Sequence, residues 1–473
     1  MALIKFGTDG WRAVIAEDYT FDNVRIVAQA VANYLKDFGL ADRGLVVGYD
    51  TRFSSENFGV AVAEVLAGNG ILCYLCDRTA PTPTVSYAIL DRKASGAAVI
   101  TASHNPAIWN GFKYKPEYAG SASPEVVAEL EKRIADIQLT HDVRRMELKK
   151  GMEAGLVKSF DPRPAYFAQV SRLVDLQHLR DAGLKIVYDA MYGAGAGYFQ
   201  HLIGDGKTTV EGIHQERNPA FPGIRPEPIA SNLGALMARV KDSNADLGIA
   251  TDGDADRVGI VDEKGRFVTQ LQVFGLLALY LLEVRGWRGP LIKSLSTTSM
   301  IDKLGQLFGV PVHETAVGFK YIGPKMLETD AIVGGEESGG FGFKGHIPER
   351  DGVVAGLMIA DMVLRLGRRP SELVDYLYSK VGPHYYDRVD LEFPAEQRAA
   401  IVKRIVDNQP SQIDGVGVAE VKTVDGYKYV LADGSWLLIR FSGTEPIMRV
   451  YAETDSMKRV LALLNFGRRL AGV

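Results

Sequence analysis

Three carboxylates stand at alternate positions in Asp252-Gly253-Asp254-Ala255-Asp256-Arg257. Unpaired carboxylates this close repel, so a loop that gathers them calls for a hard cation with oxygen ligands. An EF-hand loop would explain Glu263 at the twelfth position, but it needs glycine at the sixth, where Arg257 stands. A phosphatase with an aspartate nucleophile would carry a DxD pair after a strand. A divalent-metal site would draw its remaining ligand from elsewhere in the chain. The reading without chemistry is a solvated acidic turn.

Thr101-Ala102-Ser103-His104-Asn105-Pro106 sets a hydroxyl beside an imidazole in a small polar turn. A serine hydroxyl is a weak nucleophile and needs activation. Neighbouring side chains on extended backbone face opposite ways, so His104 meets Ser103 only if the turn is strained. Lys113 follows ten residues later, within reach of the same cleft. In Gly334-Gly335-Glu336-Glu337-Ser338-Gly339-Gly340, glycines allow close backbone approach, while Glu and Ser suit sugar hydroxyls. In Arg440-Phe441-Ser442-Gly443-Thr444-Glu445-Pro446, a guanidinium fork, two hydroxyls and backbone N–H groups suit a phosphate. A glycine-rich hairpin and a loop with a surface arginine are the plain alternatives for these last two.

These segments follow short β-rich runs, and helix-like stretches alternate with the runs over most of the chain. Leu45–Tyr49, Ile71–Cys76, Ala97–Thr101, Leu184–Tyr188 and Leu247–Ala250 read as strands; Asn23–Phe38, Asn57–Asn69 and Ser299–Phe308 read as helices. Such alternation predicts parallel sheets covered by helices, with ligands beyond the carboxyl ends of the strands. The last stretch differs. Arg388–Phe393, Tyr427–Leu431, Trp436–Phe441 and Met448–Ala452 read as strands, with helices over Ala395–Val406 and at the end, which predicts a small antiparallel α+β domain.

Length sets a prior of roughly three domains for 473 residues. With 54 Lys+Arg against 58 Asp+Glu, the chain lacks the basic excess of a general nucleic-acid binder. The only cysteines, Cys73 and Cys76, lie in a strand-like run with no second pair, so neither a disulfide framework nor a zinc site is expected. The N-terminus has no secretory apolar stretch, and Val273–Val284 is too short to span a bilayer and reads as a buried helix. The expectation is a cytoplasmic protein. No GxxxxGK[ST] loop occurs, which disfavours an ATP-driven kinase.

Taken together and in this order, FGTDGWR (6–12), TASHNP (101–106), DGDADR (252–257), GEESGG (335–340) and RFSGTEP (440–446) resemble the α-D-phosphohexomutase superfamily. The match spans nearly the whole chain. The resemblance implies three similar α/β/α mixed-sheet domains (1–150, 151–256, 257–381) and a C-terminal TBP-like α+β domain (382–473) around a central cleft. It implies that Ser103 carries the phosphoryl group and that Mg2+ is held by Ser103, Asp252, Asp254 and Asp256. Arg12, His104, Lys113 and Arg257 match positions around that group, with Lys113 as a candidate general acid/base. Glu336 and Ser338 match the sugar loop. Gly318 and Lys320 match a substrate-loop segment. Arg440, Ser442, Gly443 and Thr444 match the clamp on the non-reacting phosphate.

The reaction so implied interconverts hexose 1- and 6-phosphates through a phosphoserine and a hexose 1,6-bisphosphate. Glu337 and Gly340 depart from the GEMSGH- and GEQSGH-like loops of many phosphomannomutases and phosphoglucosamine mutases and approach the GEES of phosphoglucomutases. The expected substrate is glucose phosphate, with glucose 1,6-bisphosphate as intermediate and activator. Phosphomannomutase and phosphoglucosamine mutase activities are the alternatives, followed by an aspartyl phosphatase and a non-enzymatic Ca2+- or sugar-phosphate-binding module. The expected partner is a small phosphosugar, with no nucleic acid and no membrane, for a monomer or homodimer.

Overall fold

The computed structural model describes residues 4–7, 9–442 and 446–472. It contains four sheets. The first runs in the spatial order Trp11–Val14, Trp109–Pro116, Gly96–Ile100, Leu45–Tyr49, Cys73–Cys76, Val157–Phe160. Its first two junctions are antiparallel and the rest parallel. The second runs Phe267–Val268, Val258–Val261, Leu247–Thr251, Lys185–Asp189, Thr209–Ile213. The third runs Val312–Thr315, Leu291–Ser294, Val333–Gly335, Phe341–Phe343. Both are parallel inside and antiparallel at one edge.

The alternation of strands and helices predicted parallel sheets, and the sheets are mixed. The reason is visible in Trp109–Pro116, a strand not among those expected from the sequence; WNGFKYKP carries an Asn-Gly pair and ends in Pro. It follows directly from the serine turn and pairs back antiparallel with Gly96–Ile100, which inserts Lys113 opposite Val99.

The fourth sheet is wholly antiparallel, in the order Tyr385–Glu392, Ile447–Thr454, Trp436–Phe441, Tyr427–Leu431, Val416–Lys422, Gln412–Ile413. Helices Arg398–Asp407 and Met457–Ala471 pack on it around Ile405, Leu437, Val450 and Leu463. This is the α+β unit expected at the C-terminus.

Two of the expected breaks, after residues 150 and 256, fall one element short. Val157–Phe160 pairs in register with Cys73–Cys76 and completes the first sheet. Val258–Val261 folds back on Leu247–Thr251 and belongs to the second. Backbone pairing decides both, and the polar composition on which the breaks were placed marks loops within a unit as well as between units. The second and third units share one continuous core, from Tyr166 and Phe199 through Tyr280 to Met358, whereas the first and fourth have their own. The apolar run at 273–284 is buried as expected, as helix Gln270–Leu279 ending in a π-helical turn, Tyr280–Val284. No helix among the described residues is long and apolar enough to cross a membrane.

Candidate active site

The serine turn begins where strand Gly96–Ile100 ends. Ser103 has φ +51°, the left-handed region that costs a residue with a Cβ roughly 1 kcal/mol or more. What holds it there is Arg52, a fully buried guanidinium that the sequence reading had not singled out. Its Nη2 donates to the carbonyls of Ser103 and Asn105 at 2.6 Å each, and its Nη1 donates to those of Pro106 and Trp109 at 2.9 and 3.0 Å. Asp50 completes the support: it pairs with Arg52 at 3.2 Å and accepts from Thr101 Oγ1 at 2.6 Å. Thr101 Oγ1 in turn accepts from the Ser103 N–H at 2.8 Å. The strained turn brings His104 Nδ1 to 3.4 Å from Ser103 Oγ, the contact that extended backbone would have forbidden.

Ser103 Oγ donates to Asp252 Oδ2 at 2.7 Å, across 149 residues. Asp252, Asp254 and Asp256 are all fully buried, and one carboxylate oxygen from each lies within 4.8 Å of the others. Gly253 is required here, because a Cβ on it would meet the Ser103 carbonyl oxygen at 2.4 Å. Asp252 Oδ1 accepts from the Arg257 N–H at 3.0 Å, which curls the loop so that its alternate side chains converge. Asp254 is pinned by Thr82, through both the hydroxyl and the Thr82 N–H to its carbonyl.

Lys113 supplies the nearest positive charge, 2.8 Å from Asp254, 3.1 Å from Asp256 and 2.8 Å from Asp9. Burial disfavours its ammonium, but the three carboxylates outweigh burial and raise its pKa. His104 behaves oppositely: burial, then Arg257, Arg12, Arg52 and Lys113, push it well below its ordinary value, leaving a neutral imidazole. Burial and the neighbouring Asp256 and Asp254 raise Asp252, the signature of anions gathered without enough countercharge. Asp254 Oδ1 and Asp256 Oδ1 are buried without a hydrogen-bond partner among the described residues. Converging oxygens, two of them unsatisfied, fit a hard divalent cation such as Mg2+.

Arg12 Nη1 donates to Asn105 of the serine turn at 2.7 Å, while Arg257 at the end of the acidic loop lies 3.9 Å from Asp256 and reaches Glu227 at 3.5 Å. Arg350, also missed in the sequence, ties a third loop to these two. It lies 2.9 Å from Asp256, 2.6 Å from Asp9, 3.3 Å from Glu349 and 3.5 Å from Glu336. Glu336 is thereby joined to the acidic loop through one guanidinium. Burial raises its pKa to about 7 against the opposing pull of Arg350. Ser338 is half-buried in the same loop, and Glu337 turns away to accept from Ser296 at 2.7 Å.

Gly318 has φ +127° and opens helix Phe319–Thr329, with Lys320 half-exposed in its first turn. Arg440, at the end of strand Trp436–Phe441, donates to Asp425 at 2.9 Å. Asp425 also accepts from the Val317 N–H at 3.1 Å, which brings the fourth unit's arginine against the Gly318 segment. Ser442 is buried, and its carbonyl accepts from Arg398 at 3.1 Å. Gly443 and Thr444 lie outside the described residues.

Three mixed-sheet units and an antiparallel fourth, with a serine turn, an acidic loop, a Glu-Ser loop and an arginine at their strand ends, define the class of the phosphohexomutases, isomerases that move a phosphoryl group within a sugar phosphate. The phosphoglucomutase/phosphomannomutase family models match along the chain: α/β/α domains I, II and III at residues 3–141, 164–265 and 270–381, and the C-terminal domain at 400–466. The chain is 32% identical to a phosphoglucomutase/phosphomannomutase of Thermococcus kodakarensis, covering 98% of each. It is 33% identical to a probable phosphoglucosamine mutase of Methanothermobacter thermautotrophicus, covering 95% of this chain and 93% of that one. The crystal structure of a putative phosphomannomutase from Thermus thermophilus superimposes with a TM-score of 0.86 at 35% identity over all of both chains. The chain belongs to the phosphoglucomutase/phosphomannomutase family.

Proposed function

We propose that the protein interconverts glucose 1-phosphate and glucose 6-phosphate through a phosphoserine at Ser103 and a glucose 1,6-bisphosphate intermediate. The observation that carries this reading is the Ser103 hydroxyl, held in strained backbone 2.7 Å from Asp252 at the mouth of the acidic loop. The family's relatives are named for glucose, mannose and glucosamine phosphates, so the choice of glucose rests on the Glu336-Glu337-Ser338 loop with Gly340 behind it.

The free hydroxyl of the bound sugar phosphate attacks the phosphorus on Ser103. A new P–O bond forms to the sugar, the bond to Ser103 Oγ breaks, and the sugar hydroxyl's proton passes to a group of the site. The candidate proton carriers are His104, 3.4 Å from Ser103 Oγ, and Lys113, paired with Asp254 and Asp256 of the acidic loop. The bisphosphate then reorients and returns its other phosphoryl group to Ser103, so the same residues serve both half-reactions. Arg12 and Arg257 offer guanidinium groups to the transferred phosphate. Glu336 and Ser338 hold sugar hydroxyls, and Lys320 with Gly318 borders the sugar. Arg440, Ser442, Gly443 and Thr444 grip the phosphate that is not reacting, which spends remote binding energy on positioning the reactive end. Asp252, Asp254 and Asp256, with an oxygen on Ser103, would hold Mg2+, on which the family depends. When bound, the ion neutralises charge on the transferred phosphoryl group.

The test is phosphorus NMR of the protein with Mg2+, a trace of glucose 1,6-bisphosphate, and glucose, mannose, glucosamine or ribose 1-phosphate in parallel tubes. Fastest interconversion of the glucose ester without phosphate release is the expected result. Faster turnover of another sugar would overturn the choice of glucose. Release of inorganic phosphate alone would overturn the mutase in favour of a phosphatase.

A further inference from the structure

A cavity of about 660 Å3 lies between the second and third units, on the side walled by helix Arg163–Leu173 and the segment after it. Four arginines line it: Arg172, Arg180, Arg285 and Arg365. They come from three separate stretches of chain, Arg172 and Arg180 from one and Arg285 and Arg365 from two others, so no local sequence pattern announces them together. Each of three is tethered by part of its guanidinium group. Arg180 Nε donates to the Leu202 carbonyl at 2.9 Å. Arg285 Nη1 donates to the Leu173 carbonyl at 2.9 Å and to the Tyr280 hydroxyl at 3.1 Å. Arg365 Nε donates to Asp361 at 2.7 Å.

Helix capping accounts for the tethers on Arg180 and Arg285, and Asp361 accounts for the one on Arg365. Neither accounts for Arg172, which is exposed and forms no hydrogen bond or ion pair with any described residue. Nor do they account for four like charges around one concavity. Asp175 is the only carboxylate in the lining, and it stands 3.9 Å from Arg365 while capping its own helix. The floor is apolar, from Leu173, Leu176 and Leu202, all buried. A concave cationic surface on a low-dielectric floor concentrates anions, and tethered guanidinium groups bind them with little loss of side-chain freedom. The volume lies in the range of small-molecule sites.

We propose that this cavity is a second binding site, for a small multiply charged anion such as a phosphate ester or a polycarboxylate. It is built away from the serine and the acidic loop. Arg365 closes helix Gly352–Leu366, whose first N–H donates to the Ala255 carbonyl inside the acidic loop at 3.1 Å. One helix of 15 residues, roughly 22 Å long, therefore runs from the new site to the reaction centre.

Calorimetric titration of the full chain with pyrophosphate, and in parallel with citrate, in Mg2+-free buffer tests the proposal. The proposed phosphate clamp is removed with Arg440→Ala, so that the active site does not mask the second one. Pyrophosphate is expected to bind the Arg440→Ala protein, and Arg172→Glu in that background is expected to weaken it about tenfold, about 1.4 kcal/mol. Arg172→Glu breaks no described contact, so it should leave the melting temperature and, in the otherwise unaltered protein, the mutase rate unchanged. Stronger binding of pyrophosphate than citrate would assign a phosphate ester; equal binding would admit polycarboxylates too. No binding to the Arg440→Ala protein, or an affinity indifferent to Arg172→Glu, would overturn the site.

Discussion

The first and third units meet the acidic loop through a buried lattice of charge, whereas the third and fourth units meet through a smaller set of pairs that water reaches in part. In the first region Lys113, Lys115 and Arg350 interleave with Asp9, Asp254, Asp256, Glu336 and Glu349. No side chain in that set is more than 9% exposed. In the second, Lys428 and Lys422 of the fourth unit share Glu314 of the third at 2.6 and 3.1 Å, and Asp425, which accepts from the Val317 N–H of the third unit, also pairs with Arg440 inside the fourth. There Lys428 is buried at 3% exposed, but Glu314 is 16%, Asp425 24% and Lys422 32% exposed. Buried pairs are costly to break singly, because the abandoned charge has no water to turn to, while pairs near solvent exchange partners at little cost. The proposed reaction needs that contrast. Its transfer centre must stay fixed for two phosphates in turn, and its clamp must release one end of the sugar and take the other. Arg440 already holds a carboxylate that an incoming phosphate can replace.

The sharpest way to break the comparison is at the serine. Ser103→Ala should lower turnover by at least about 10³-fold and remove one phosphoryl mass from the intact protein, read by mass spectrometry. Retained turnover would end the role proposed for Ser103. Next comes the acidic loop. Asp254→Asn should cost on the order of 10²-fold in activity and raise the Mg2+ concentration needed for half-maximal rate. Asp262→Asn should do far less, because Asp262 only closes a turn through Lys264 and Arg266. Equal effects in a magnesium titration would count against the site.

Arg350→Met tests the lattice as a structural unit. It strips one cation from four carboxylates and should destabilise the fold by about 3 kcal/mol or more, measured by denaturant unfolding. A loss within error of zero would mean the lattice is not closed. At the exchangeable end, Arg440→Ala should raise KM about tenfold while disturbing stability little, as expected for a charge-assisted hydrogen bond to phosphate. A large stability loss with unchanged KM would reverse the contrast between the two regions.

The smallest effect belongs to Glu336. Because burial raises its pKa to about 7, the folded protein binds its proton more tightly than the unfolded chain does. Its contribution to stability is therefore fully present below the ordinary glutamate range and falls as pH rises toward 7. Binding runs the other way, since the carboxylate accepts sugar hydroxyls better than the acid does. KM should drop a few-fold as pH rises through 7, and Glu336→Gln should flatten that step. An unchanged profile in the variant would assign the step to another group.

Much of the site was legible because each strand-end loop carries its chemistry in five to seven consecutive residues. Ser103, Asp252, Asp254, Asp256, Glu336 and Arg440 all sit in such loops, and the structure brings Ser103 to the acidic loop and joins Glu336 to it through Arg350. Arg52, Asp9, Lys115, Glu349 and Arg350 were not legible in the same way. Arg52 did stand at a strand end, in YDTR, but nothing near it named its partners, which are four carbonyls between Ser103 and Trp109. Arg350, in HIPERDG, reads as a solvated loop charge until burial against Asp9, 341 positions away, gives it a task.

By itself, the sequence determined the kind of chemistry and the kind of fold. Side-chain type fixes what a loop can bind, and the spacing of apolar residues fixes whether a segment is helix or strand. Only the tertiary structure decided which charges are buried together, where the antiparallel strand with Lys113 inserts, and that four scattered arginines share one cavity. The reason is that burial and pairing are set by segments hundreds of residues apart, and a charge acquires its energy from the neighbours that replace its water.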